Sequence, residues 1–407
     1  MVKFVKRIIR KLISSSKGDT ISKEYETIKK IKTEDDLYRF RQFYLSKLLI
    51  HAYKNVPYYN KVFDDIGIIK KGEADLSKFS QIPILTKNIL NKHHNELRSR
   101  DYQNRNWYQN FSGGSTGEPT RFLQDENYKK WCAATNKYYY EDILNIPMNN
   151  IKKIYLWGSP RDLFDGDGSF RSKINDWLLN TKVLNSFKMT TNDMKSYVET
   201  INEFKPELIR GYAGSLYELS KFIEKKNLRI YNPKRLISSA ETLTKEMRKT
   251  IEKIFATKVY DFYGSRETAS IAGECSNGLY HIFSFNNQIE ILDRNNNPTR
   301  HGKKGRVIVT NLHNYTMPFI RYEIGDMAIL GPTKCNCGIY LPCIKKISGR
   351  IEEQFIKRDG SIVIGYFFVH LIGVLVNNGF IKKFQVIQED YEKIRILCVI
   401  NEMIPEN

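Results

Sequence analysis

The sequence predicts an α/β protein. It is expected to have a large domain of mostly parallel, doubly wound sheets with a β-rich subdomain, then a short α+β unit at its C-terminal end. Three observations carry this. Apolar spacing between residues 21 and 100 is helical. From residue 151 the pattern changes to strand, loop and helix in repetition. From about residue 279 short apolar runs alternate with turn-rich stretches such as "RNNNPTRHGKKG".

In chain order, "MVKFVKRIIRKLISSS" begins basic, but charges interrupt every apolar run, which argues against a signal peptide. On a helix, Val5, Ile8, Ile9, Leu12 and Ile13 share one face, and Lys3, Lys6, Arg7, Arg10 and Lys11 mostly take the rest. Two readings fit. Residues 1–14 lie as an amphipathic helix on an anionic membrane, or they form a solvated tail or a helix docked on the domain. Residues 1–20 are set apart on this ground, from a large domain over 21–347 and a short one over 348–407. "DDLYRFRQFYLSKLLIHAYKNV" is a helix that should stop at Pro57. "IKKIYLWGS", "PELIRGYAGSLYELSKFIEKK", "KRLISSAETLTKEMRKTIEKIF" and "TKVYDFYGSRETAS" give the strand-and-helix plan four times. Ligands of such sheets sit beyond the carboxyl ends of the strands. The loops "WGSPRD", "GYAGS", "SSAET" and "YGSRET" are therefore expected to converge. The aromatic "NKYYYEDIL" fits a packed helix better than a stacking surface for bases.

The chain has 407 residues, 41% hydrophobic and 27% charged, with a formal charge of +20. Such basicity favours anionic partners without choosing among them. The lysines are scattered and no zinc-finger, RRM or helix-turn-helix pattern occurs, so no nucleic acid is expected. Six cysteines do not make a disulfide framework in a chain of this length, which points to a reducing, cytoplasmic setting. No apolar run approaches the ~18 residues of a membrane span.

The most informative stretch is "NFSGGSTGEPTRF", residues 110–122. Glycines let backbone N–H groups turn toward an anion. Ser112, Ser115 and Thr116 add hydroxyl donors around Gly113, Gly114 and Gly117, a composition suited to polyphosphate. A Walker A loop is excluded because its lysine is missing, and the glycine spacing excludes a dinucleotide fingerprint.

Further motifs follow in order: "SSAET" (238–242), "DFYGSRET" (261–268), "RYEIGD" (321–326) and "SGR" (348–350). Over roughly residues 35–390 this set resembles the adenylate-forming enzymes. Within them it is most similar to the phenylacetate–coenzyme A ligase branch and the related proteins of capsular polysaccharide gene clusters. The resemblance implies that Ser112 to Gly117 grip the ATP phosphates. Thr120 and Arg121 stand where the family has a lysine. Ser239, Ala240 and Glu241 would lie against adenine, and Tyr263 and Gly264 would pack on it and frame the acyl site. Glu267 would bind Mg2+, Asp326 both ribose hydroxyls, and Arg350 would serve as the hinge arginine. The implied reaction forms an acyl-adenylate from a carboxylic acid and ATP. The acyl group then passes to coenzyme A or an amine acceptor, with surface polysaccharide biosynthesis as the setting. Localisation would be cytoplasmic, or peripheral at the inner face of the membrane.

The alternative is a degenerate nucleotide-binding or scaffold member. The family's catalytic lysine lies well past the hinge. Here 57 residues follow Arg350, and Lys382 and Lys383 fall too early to match it. The expectation is ATP binding with slow turnover.

Cys275, His281, Cys335 and Cys337 provide three thiolates and one imidazole, a donor set for a closed tetrahedral zinc site. Cys343 is an alternate fourth ligand. Reduced, partly buried cysteines and a strand histidine are the other reading. The resemblance lends weight to zinc, because some members of the branch carry such a metal.

Overall fold

A computed structural model describes residues 22–112, 120–148, 151–158, 180–186, 189–350, 354–359, 362–364, 368, 372 and 381–400. The segment 1–14, and with it the membrane reading, lies outside the described residues. So do Gly113, Gly114, Ser115, Thr116 and Gly117, and most of "WGSPRD". The chain divides into two compact units: residues 1–149 with 261–348, and residues 150–260 with 349–407.

The first unit opens with helices. Glu34–Asn55 starts at a capping box in which Thr33 and Asp36 satisfy each other's backbone N–H groups. It ends at Asn55, and Val56 alone separates it from Pro57, which itself opens the next helix, Pro57–Ile66. That helix closes on Gly67 in the left-handed region, φ 64°. Leu45, Leu48, Leu49, Tyr59 and Phe63 on these helices are buried in one core with Val307, Val309 and Tyr322 from later strands and Phe319 from the connection between them.

Those later strands follow the spatial order Asn287–Leu292, Lys304–Asn311, Tyr322–Leu330, Cys343–Arg350, Tyr280–Ile282, Ala269–Glu274 and Val259–Ser265. The pairings among 259–311 and 322–330, and that of Tyr280–Ile282 with Cys343–Arg350, are antiparallel. Here the structure departs from the fourth repeat of the expected plan. "TKVYDFYGSRETAS" is not strand, loop and helix. Residues 266–268 make a tight turn into the antiparallel strand Ala269–Glu274. The small and β-branched run "TASIAG" suits a buried strand, and tertiary pairing decides the matter.

Helix Glu126–Tyr138 runs into a π-helical turn at Tyr139–Ile143, and Tyr138, Tyr139 and Tyr140 are buried, as expected for a packed segment. Its N-cap, Asp125, is fully used. Oδ1 accepts from Tyr128 N at 2.9 Å, and Oδ2 accepts from Tyr315 N at 3.0 Å, Thr316 N at 3.1 Å and Thr316 Oγ1 at 3.2 Å. Arg321 is a second buried hub. Its guanidinium pairs both Glu290 oxygens at 3.0 Å and donates to the backbone oxygens of Ser80 and Ile82.

The second unit carries a parallel sheet in the order Arg235–Ser239, Leu208–Tyr212, Lys153–Trp157, Thr181–Asn185. Ile154, Leu156, Ile209 and Leu236 share a buried core with Ile201, Leu216, Leu219, Ile251 and Phe255 of helices Thr191–Phe204, Ala213–Lys225 and Lys245–Phe255. This is the period-2 strand beside the period-3.6 helix that the sequence predicts. Two antiparallel hairpins, Gln354–Ile356 with Ile362–Ile364 and Ile381–Asp390 with Lys393–Ile400, complete the described residues. Gln388 ties them together by two bonds to the Ile356 backbone. Among the described residues no helix is long and apolar enough to cross a membrane.

Candidate active site and metal cluster

In the first unit, the glycine- and hydroxyl-rich loop is tied at its neck. Ser112 N donates to Thr120 O at 2.9 Å, and Thr120 N donates to Ser112 Oγ at 3.0 Å. Both residues are buried, whereas Arg121 is exposed. Strands Trp107–Phe111 and Arg121–Asp125 lead into and out of the loop as an antiparallel pair. From the outgoing strand Gln124 Nε2 reaches the backbone oxygens of Arg266 at 2.9 Å and Glu267 at 3.2 Å. The loop's base is thus joined to the turn that carries Glu267, a carboxylate that is itself buried. The turn is held by Ser265 Oγ, which accepts from Thr268 N at 3.1 Å.

Tyr263 and Asp326 also meet. The Tyr263 hydroxyl donates to Asp326 Oδ2 at 2.7 Å. Gly264, next to Tyr263, has no room for a side chain, since a Cβ there would stand 2.4 Å from the Ala269 carbonyl oxygen. This glycine is required by the backbone on its own account.

Of the four loops expected to converge, "GYAGS" and "SSAET" gather with Trp157 in the second unit, while "YGSRET" belongs to the first. Trp157 and Tyr212 stack at 4.4 Å and 14°. Arg210 lies over Trp157 at 5.7 Å and donates from Nη2 to Ser239 Oγ at 3.0 Å. Ala240 follows in the left-handed region, φ 66°. Glu241 Oε2 then accepts from Gly214 N at 2.7 Å, at the start of helix Ala213–Lys225. A carboxylate there offsets an orphan donor and the positive end of the helix dipole. "GYAGS" and "SSAET" therefore meet side by side. Arg350 ends the strand Cys343–Arg350, just after Gly349 at φ 75°.

The cysteine cluster lies in the first unit. Sγ of Cys275, Cys335 and Cys337 and a ring nitrogen of His281 all lie within 4.8 Å of one another. The Cys275 and Cys335 sulfurs are 3.7 Å apart, and His281 Nε2 is 3.1 Å from Cys337 Sγ. Two thiolates each ~2.3 Å from a tetrahedral zinc would stand ~3.8 Å apart, so the spacing fits a metal. His281 Nδ1 is 3.0 Å from the Leu341 carbonyl, which sets a proton on Nδ1 and turns the Nε2 lone pair to the sulfurs. Cys343 Sγ lies 3.6 Å from Nδ1 and is buried in the same cluster as Cys275 and Cys335, beside the four donors that gather within 4.8 Å. Burial holds the Cys275 thiol above its ordinary value and lifts Cys337 and Cys343 to about 12. At Cys335 burial also acts upward, but the Cys337 N–H, neighbouring thiols and the Asn277 amide outweigh it, and its value falls. Burial lowers His281, favouring the neutral imidazole a metal needs.

Sequence reasoning missed Gln124 and Asp125. Both follow the loop in "FLQDENY", where a polar residue on a short strand and an N-cap give no hint of long-range partners.

No protein-family model matches the chain. It is 24% identical over 408 residues to Protein CapK of Staphylococcus aureus, covering 98% of this chain and 88% of that protein. It is 26% identical over 336 residues to the phenylacetate-coenzyme A ligase of Thermus thermophilus, covering 78% and 71%. The Escherichia coli enzyme of that name is 24% identical over 350 residues, covering 81% and 74%. Among solved structures, 2-hydroxyisobutyryl-CoA ligase in the postadenylation state with 2-HIB-AMP matches with a TM-score of 0.63 at 17% identity, over 90% of this chain and 78% of that one. The same ligase with 2-HIB-AMP and CoA in the thioesterification state gives 0.61 at 17%, over 89% and 77%. The chain is thus similar in sequence to Protein CapK and to the phenylacetate-coenzyme A ligases, and it shares the fold of 2-hydroxyisobutyryl-CoA ligase.

Proposed function

We propose that this chain activates a carboxylic acid as an acyl-adenylate at the expense of ATP and then transfers the acyl group to coenzyme A. The observation that carries the reading is the meeting of three motif segments in the first unit. Gln124, behind the Gly/Ser loop, holds the backbone of Glu267, and Tyr263 holds Asp326. These segments lie far apart in sequence, and the proposed chemistry needs them together.

In this reading the substrate carboxylate attacks the α-phosphorus of ATP, the bond to the β-phosphate breaks, and pyrophosphate leaves. Charge grows on the phosphate oxygens, so preplaced donors lower the barrier. Ser112 to Gly117 supply hydroxyl and backbone donors. Glu267 is the carboxylate for Mg2+, which shares the phosphate charge when bound. Asp326 accepts the ribose hydroxyls and fixes the nucleotide's register. Ser239, Ala240 and Glu241, with Tyr263 and Gly264, serve the adenine, and Arg350 is the hinge arginine between 21–347 and 348–407. Cys275, His281, Cys335 and Cys337 hold a structural zinc, closed by four protein ligands and outside the reaction. The motif resemblance to proteins of capsular polysaccharide gene clusters is the ground for a place in surface polysaccharide biosynthesis, where an amine acceptor is the second reading for the final transfer.

A panel of carboxylic acids, assayed for pyrophosphate release with Mg2+ and ATP and with or without coenzyme A, tests the proposal. One acid should give release, and coenzyme A should convert it to a thioester. ATP binding without release for any acid would leave the degenerate nucleotide-binding reading. No ATP binding would reject both.

A further inference from the structure

We propose that the Tyr263 hydroxyl is a positioning group for ribose recognition, holding the Asp326 carboxylate where it meets the vicinal diol of the nucleotide. The inference rests on the reading of Asp326 given above.

Two backbone irregularities bring the pair together. Along Tyr322–Leu330 the register with the neighbouring strand runs Glu323 opposite Ile308, then Met327 opposite Arg306. Residues 324–326 therefore face the single residue Val307. Gly325 takes φ 87° at this bulge. Bulges re-aim side chains, and this one carries Asp326 at its end. On the other side, Gly264 pairs with Ser270 but Tyr263 pairs with Ala272, so Ile271 is the extra residue beside Tyr263. The hydroxyl and carboxylate oxygen meet at 2.7 Å across 63 residues of sequence.

A buried phenol needs a polar partner, and a backbone carbonyl would suffice. Tyr263 belongs to the apolar core with Ile271, Ala272 and Ile324, so a phenylalanine would serve packing alone. The partner is instead a carboxylate delivered by a bulge. An O–H to carboxylate bond is charge-assisted and short. A carboxylate offers about four acceptor directions. The bond from the phenol uses one of those directions and restrains the carboxylate's rotation. A purely structural tie would affect stability and every nucleotide alike; a positioning tie affects only nucleotides that carry the diol.

The test uses calorimetry on the full chain with Mg2+ and either ATP or 2′,3′-dideoxy-ATP. Tyr263→Phe should weaken ATP roughly tenfold, the scale of one hydrogen bond to a charged group. Phenylalanine keeps the ring assigned to the adenine and removes only the hydroxyl, so dideoxy-ATP, which lacks the diol, should not discriminate the variant from wild type; its binding also reports a folded protein. Asp326→Asn should lose the same discrimination, and adding Tyr263→Phe to Asp326→Ala should change nothing further. Equal weakening of both nucleotides by Tyr263→Phe, or weakening of neither, overturns the positioning role while leaving the nucleotide reading intact. A wild type that binds no ATP, or an Asp326→Ala that binds it normally, overturns the nucleotide reading and this inference with it.

Discussion

Acidification should destabilise this protein through His313, and the size of the effect follows from its surroundings. The ring is fully buried and stacks on Trp131 at 3.9 Å and 1°. Nε2 lies 2.8 Å from the Phe285 carbonyl, so the proton sits on Nε2. Nδ1 is buried and has no hydrogen-bond partner among the described residues. A second proton would have no acceptor and would bring charge into the core. Burial pushes the group down to about 3, against the Phe285 bond that acts upward. A histidine lowered on folding contributes stability that is present above its unfolded value of ~6.5 and is lost as pH falls toward the folded value. At about pH 4.5 the unfolded chain takes up this proton and the folded one does not, a loss of ~2.7 kcal/mol at ~1.36 kcal/mol per pH unit. Urea unfolding followed by tryptophan fluorescence, near pH 7 and near pH 4.5, measures it. Carboxylates also weaken the fold in acid, but they are common to wild type and variant, so the difference isolates His313. His313→Gln keeps a donor for Phe285, and His313→Phe keeps the stack on Trp131. Both start less stable, and both should lose about 2–3 kcal/mol less than wild type on acidification. Equal losses in wild type and both variants would refute the argument.

Three other outcomes are expected. Asp125→Asn places an amide N–H2 against backbone donors now met by carboxylate oxygen, and should cost about 2–4 kcal/mol in urea unfolding; an unchanged midpoint would show that the hub is dispensable. Protein purified untagged and reduced should contain about one zinc per chain, and His281→Ala or Cys337→Ser should lower it sharply by elemental analysis, whereas wild type near zero rejects the metal. Deleting residues 1–14 should abolish co-sedimentation with anionic vesicles, to which each basic side chain near the surface contributes ~1 kcal/mol; equal pelleting of both forms rejects the membrane reading.

Much of this protein could be read locally. The helix over Glu34–Asn55, its stop before Pro57 and the parallel strands with their helices follow from apolar period and capping, which neighbouring residues set by themselves. The cysteine spacing named the same donor set that the fold gathers within 4.8 Å. Tertiary structure decided what depends on partners distant in sequence. The segment after Gly264 became a hairpin strand because neighbouring strands accept its edge, although its local pattern allowed a helix. The packing of Cys343 beside Cys275 and Cys335 is likewise set by the fold, which no spacing reveals. Two bulges turned Tyr263 and Asp326 toward each other, and Gln124 found the carbonyls of 266 and 267. The physical reason is that propensity and periodicity act over a turn or two of chain. Register, bulges and side-chain hydrogen bonds between remote strands are fixed only when the whole core closes.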